Sequence, residues 1–133
     1  MTKTIKKEEL VLAAINVSKQ AHAPYSNYRV GAAIVSKNGK VFTGCNVENA
    51  AYPSGICAER VAIFKAVSEG EKDFSLLAVV TKNGGMPCGA CRQVMSEFSN
   101  NLPIIVSNDK GEITQETTLD LLLPHSFGAN DVS

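Results

Sequence analysis

Leu76-Leu77-Ala78-Val79-Val80-Thr81 is apolar at every position but the last. An alternating strand buries one face; a run without alternation reads as a central strand covered on both faces. Its neighbours along the chain read as helices. Residues 57–68 carry Val61, Phe64 and Ser68 along one side, with Gly70 placed as a C-cap. Residues 88–98 form the second helix, entered at Pro87, where a missing N–H costs nothing. Further out, residues 30–35 and 41–47 read as an antiparallel strand pair, with Asn38-Gly39 as a two-residue hairpin signal. Leu10, Ala14, Val17 and Ala21, widened by Val11 and Ile15, make an amphipathic first helix that ends near His22-Ala23-Pro24. Beyond the second crossover helix come a short strand at 104–107, a turn at 108–111, an edge strand at 113–116 and a short helix at 119–123 stopped by Pro124. A hairpin followed by crossover helices implies an α/β chain whose mixed sheet carries helices on its faces.

The 133 residues suit a single domain, residues 1–133, with one core. Thirteen basic residues balance thirteen acidic ones, and no basic run beyond Lys6-Lys7 suggests a nucleic-acid surface. That balance fits a small neutral substrate. No apolar run approaches the roughly 20 residues a bilayer requires. Residues 1–9 are polar and lack the apolar core of a signal peptide. Three cysteines at metal spacing and one left over fit a reducing compartment, so a cytoplasmic protein is expected.

Both crossover helices begin at cysteines, in Cys57-Ala58-Glu59-Arg60 and Pro87-Cys88-Gly89-Ala90-Cys91. Cys88 and Cys91 are three apart and share a helix face, with small residues between them. Two helix N-termini aimed at one ion favour thiolate over thiol. A structural zinc site closes its tetrahedron with four protein ligands, whereas a catalytic one uses three and leaves a position to water. Cys57, Cys88 and Cys91 therefore read as ligands of one zinc ion, and Glu59 as the carboxylate that carries protons beside it. Taken singly, each has a plainer reading: a packed cysteine, a redox pair, a solvated helix carboxylate. Arg60, one turn after Cys57, is positioned to donate to sulfur and offset three thiolate charges; alone it would read as a surface ion pair. Arg92 is a weaker candidate for that task. Cys45 has no motif partner and reads as a small strand residue.

The pair C-A-E and P-C-G-A-C resembles the zinc-dependent cytidine deaminase superfamily. Asn46-Val47-Glu48-Asn49-Ala50, Tyr52-Pro53, Gly55-Ile56-Cys57-Ala58-Glu59-Arg60 and Ser126-Phe127-Gly128 narrow the resemblance to short, free-nucleoside cytidine deaminases, over about residues 25–127. The resemblance implies a three-layer α/β/α sandwich around a mixed five-stranded sheet. It implies hydrolysis of cytidine and deoxycytidine to uridine and deoxyuridine, in pyrimidine salvage, with one zinc per chain. It implies a homotetramer with shared active sites, in which Phe127 reaches a neighbour's site. It further places Asn46 and Glu48 at the sugar, Ala58 among the substrate contacts, and Tyr28 where a base-stacking phenylalanine is common. The next position, often proline in that family, is Arg29 here.

Two other readings compete. One is a sister deaminase acting on a tRNA adenosine, a nucleotide or blasticidin S. The tRNA and deoxynucleotide enzymes commonly have histidine where this chain has Cys57, and the tRNA enzymes call for a basic groove. The other is a non-catalytic zinc-binding module, which needs a fourth ligand that no motif supplies.

Overall fold

A computed structural model describes residues 5–99 and 101–132; of the polar stretch at 1–9, residues 1–4 lie outside the described part. Five strands, β1 (Gly31–Ser36), β2 (Val41–Cys45), β3 (Phe74–Val80), β4 (Pro103–Ser107) and β5 (Ile113–Thr118), form one sheet in the order β2-β1-β3-β4-β5. Only the β3–β4 pair is parallel; the others are antiparallel, so the sheet is mixed. Helix α1 (Lys7–Ser18) covers one face. Helices α2 (Ala58–Ser68) and α3 (Gly89–Phe98), with the short α4 (Leu119–Leu122), cover the other.

The alternation of strand side chains divides the two cores. Ala33, Val35, Ala78, Val80 and Ile105 meet α1, whereas Ala32, Ile34, Leu77, Val79, Ile104 and Val106 meet α2 and α3. Central β1 is buried at every position, and β3 from Leu77 onward, as the apolar run requires. The three-layer α/β/α sandwich expected from the resemblance is the observed architecture.

Several boundaries differ from the sequence reading. The 36–40 hairpin has a three-residue loop, not two: Ser36 N–H pairs with Lys40 O, and of the loop residues only Gly39 has positive φ, at 87°. A two-residue type I′ turn needs two such residues. Helix α1 stops at Ser18, short of the expected end near His22-Ala23-Pro24. The Ser18 hydroxyl donates to Ile15 O at 2.6 Å, and the next N–H groups bond three residues back. Strand β1 starts at Gly31 because Val30 N–H is taken by the Asn46 side chain at 2.9 Å. Strand β2 ends at Cys45, after which Val47 bonds Ile56. Strand β3 begins at Phe74, which pairs with Ser36 across a bulge. Gly70, at φ 93°, ends α2 as expected: its N–H reaches Val67 O and that of Glu71 reaches Ala66 O, the Schellman pattern.

Candidate active site

The ends of β1, β2 and β3 near Gly31, Cys45 and Val80 lie side by side, and the chain leaves them toward both cysteine-bearing helices. Cys57 is the N-cap of α2 and Cys88 the N-cap of α3; Cys91 lies one turn into α3. Neither cap position carries a side-chain cap bond, so both thiols are free to face each other. The sulfurs of Cys57 and Cys88 are 3.7 Å apart, those of Cys88 and Cys91 3.5 Å, and all three lie within 4.8 Å of one another. Sulfurs bound at about 2.3 Å to a tetrahedral zinc stand about 3.8 Å apart, so the donor set fits the ion. Soft thiolates select zinc over hard cations such as magnesium. Among the described residues no fourth His, Cys, Asp or Glu joins the cluster.

The electrostatics are those of a thiolate nest. A hydrogen bond from Cys91, reinforced by the Arg60 guanidinium, pulls the Cys57 thiol down to about 5. The same interaction pushes Cys91, which holds the shared proton, upward. Arg60 donates from Nη2 to Cys57 Sγ at 3.4 Å, and that bond raises its pKa further. Its Nε is buried without a hydrogen-bond partner among the described residues. Arg92, the weaker sequence candidate, goes elsewhere: its guanidinium bonds Pro87 O at 2.7 Å and Leu122 O at 3.0 Å, bracing the loop before Cys88. Glu59, in the first turn of α2, is 3% exposed, and burial raises its carboxyl to about 7.

Cys57, Cys88 and Glu59 line a cavity of about 480 Å³, the size of a small-ligand site. Asn46, Glu48 and Tyr28 line it too. Asn46 is buried, its Oδ1 accepting from Val30 N–H and its Nδ2 donating to Tyr28 O, so much of its amide stitches residues 28–30 in place. Glu48 accepts from the N–H groups of Tyr25 and Ser26, each at 3.1 Å, and from the Ser26 hydroxyl. The Ser26 bond comes first among the causes that hold its carboxyl below the usual range. Two predicted site residues stand apart. The Ala58 side chain is buried in the core beneath the site and does not line the cavity. Phe127 does not line it either and is 61% exposed. A short helix, α5 (Ala129–Val132), follows it, yet the ring stays uncovered.

The cavity also contains Ser26, Thr81, Gly85 and Met86, which the sequence reading did not single out. Gly84-Gly85 is a turn signal that goes unused there, and Ser26 sits in a Ser-Asn turn; Met86 carries no local signal.

Comparison with known proteins agrees with this site. The family profile described as cytidine and deoxycytidylate deaminase zinc-binding region matches residues 4–107. The cytidine deaminase of Sporosarcina psychrophila is 47% identical over 95% of this chain and 94% of its own length. That of Halalkalibacterium halodurans is 45% identical over 96% and 98%. The crystal structure of cytidine deaminase from Burkholderia pseudomallei superposes with a TM-score of 0.87 at 44% identity, covering 92% of this chain and 100% of that one. The Mycobacterium tuberculosis enzyme gives 0.82 at 36%, over 94% and 99%. With three thiols at zinc spacing on two helix N-termini, and likeness along nearly its whole length, the chain belongs to the zinc-dependent cytidine deaminase family.

Proposed function

We propose that this enzyme hydrolyses the exocyclic amine of free cytidine and deoxycytidine, converting nucleoside and water to uridine or deoxyuridine and ammonia. The observation that carries the proposal is Glu59, a buried carboxyl with a pKa raised to about 7, facing the same cavity as Cys57 and Cys88 of the three-thiol cluster. A group poised near neutral pH both takes and gives protons. A zinc ion held by Cys57, Cys88 and Cys91 supplies Lewis acidity that brings the pKa of water toward ~7. Glu59 accepts one proton of the attacking water and delivers it to the ring nitrogen N3; it then takes the second proton from that oxygen, now bonded to C4, and gives it to the amine, which leaves as ammonia when the C4–N bond breaks. Its own charge is restored at the end of the cycle. Arg60 offsets the excess thiolate charge through Cys57. Glu48 and Asn46 face the cavity with polar groups suited to ribose hydroxyls, and Tyr28 offers a ring to the pyrimidine.

The reaction belongs to nucleoside salvage, and reduced thiols suit the cytoplasm. Among the described residues no helix is long and apolar enough to cross a membrane. Residues 1–133 act as one catalytic unit, assembled as a homotetramer in which the exposed Phe127 closes a neighbour's site.

Ammonia release should be measured from cytidine, deoxycytidine, their monophosphates, adenosine and blasticidin S. Turnover confined to the two free nucleosides is expected; turnover of the monophosphates or the antibiotic instead would overturn the substrate assignment. Glu59→Gln should keep its zinc and lower kcat by at least about 10²–10⁴-fold. Near-native turnover in that variant would move the proton carrier elsewhere.

A further inference from the structure

Tyr28 meets Thr81 and Asn83, two neighbours on a loop far along the chain, at the cavity wall. The Tyr28 hydroxyl donates to Asn83 Oδ1 at 2.7 Å, across 55 residues of sequence. The Thr81 hydroxyl donates to the same oxygen at 3.2 Å and accepts from Gly85 N–H at 2.6 Å. Both lone pairs of the Asn83 carbonyl oxygen are thereby used. Thr81 is 3% exposed and fixed to the sheet by its N–H on Ser107 O at 3.2 Å. Gly85 has a steric reason to be glycine: a Cβ there would lie 2.5 Å from the Tyr28 hydroxyl oxygen. Gly84, at φ 73°, turns the same loop. The loop therefore closes against the tyrosine with no side chain in between.

Three features tie this cluster to the cavity rather than to general packing. Tyr28, Thr81 and Gly85 all line it. The tyrosine hydroxyl is spent on Asn83, so the ring is left as the surface available to an occupant. Finally, Tyr28 N–H donates to Ser26 Oγ at 3.0 Å, and that hydroxyl holds Glu48. One run of polar contacts thus joins the Glu48 side of the cavity to the loop that leads through Met86 and Pro87 to Cys88.

We propose that Tyr28, Asn83 and Thr81 form a clasp that positions the 81–86 loop as one wall of the nucleoside cavity, a role that rests on the deaminase reading for the identity of the occupant. These are positioning residues; the clasp makes and breaks no bond in the substrate. Removing either half of the Tyr28–Asn83 bond loosens the loop and weakens the fit to nucleoside, and leaves proton transfer at Glu59 intact.

The test is a double-mutant cycle in the zinc-loaded protein with Tyr28→Phe, Asn83→Ala and both together. It is read by cytidine kinetics and by amide hydrogen exchange of the 82–86 segment. Each single change should raise KM about threefold to tenfold with kcat held within about twofold, because one neutral hydrogen bond is lost. The double variant should be no worse than the worse single one. Exchange in 82–86 should quicken in the same pattern. Independent, additive effects would overturn the clasp, and so would unchanged exchange. Faster exchange with KM unmoved would reduce it to a structural staple and overturn the positioning role. Parent protein that releases no ammonia from cytidine fails the deaminase reading; coupling in the exchange data then still judges the clasp.

Discussion

At the scale of single residues, Glu59 shows function working against stability. Its carboxyl is raised from 4.5 to about 7 chiefly by burial. The folded chain therefore holds a proton more tightly than the unfolded chain between those values. Stability falls as pH rises through that window and the loss is complete above it, because the folded state must then bury a charge. Glutamine has the same shape and carries no charge. Metal-free Glu59→Gln should accordingly be more stable than the metal-free parent by up to about 3 kcal/mol near pH 8, and by less than about 1 kcal/mol near pH 5. Urea denaturation of both metal-free proteins at the two pH values checks this. An equal gap at both would mean that the carboxylate is already compensated in the fold. The same substitution is thus expected to stop turnover and to stabilise the empty protein.

At the scale of elements, the site depends on how closely α2 lies on β2. A Cβ at Gly44 would stand 2.5 Å from Ala62 N and 2.6 Å from Ala58 O, both main-chain atoms that cannot swing aside. Gly31 likewise lets α1 approach β1, with a Cβ there only 1.9 Å from Ala14 O. Because Cys57 caps α2 and Glu59 sits in its first turn, any shift of α2 moves both. Gly44→Ala should destabilise by about 1–3 kcal/mol, lower the melting temperature by several degrees and weaken zinc retention against a chelator. Gly89→Ala is the control. It opens α3, a Cβ there meets nothing within 4 Å, and alanine favours helix, so stability and zinc content should hold or improve. Equal behaviour of the two variants would show that close approach of α2 does not set the metal geometry.

At the scale of the molecule, the chain leaves large apolar side chains uncovered. Tyr52 is 76% exposed, Leu121 73%, Phe127 61% and Tyr25 51%. Tyr25 and Tyr52 adjoin edge to face with ring centroids 6.0 Å apart, and a contiguous apolar patch is a candidate docking surface. The proposed homotetramer supplies a partner by closed symmetry, and shared sites would exclude water from the cavity. Chain truncated before Ser126 should keep its zinc, because all three thiols lie well outside the tail, and should lose activity or assembly. Sedimentation of dilute active protein gives the second readout: a monomer with full turnover would remove the shared-site proposal.

Part of this protein was legible in the sequence alone. The apolar 76–81 run identified β3, the Gly70 cap ended α2, and the cysteine spacing identified the metal ligands. Helix period, strand alternation and cap chemistry act over a few residues, so spacing along the chain records them directly. What the tertiary structure alone decided lies between segments far apart in sequence. Asn46 turned inward and took Val30 N–H from the strand ladder. Tyr28 met Asn83, Arg92 was drawn to Leu122 instead of the thiols, and burial by the whole fold raised the Glu59 carboxyl. These outcomes depend on which strands pair and how closely each helix lies on the sheet. Strand order brings Cys45 and Val80 to either side of Gly31. No local pattern in the chain encodes that meeting, because it arises only when the non-local contacts of the sheet have formed.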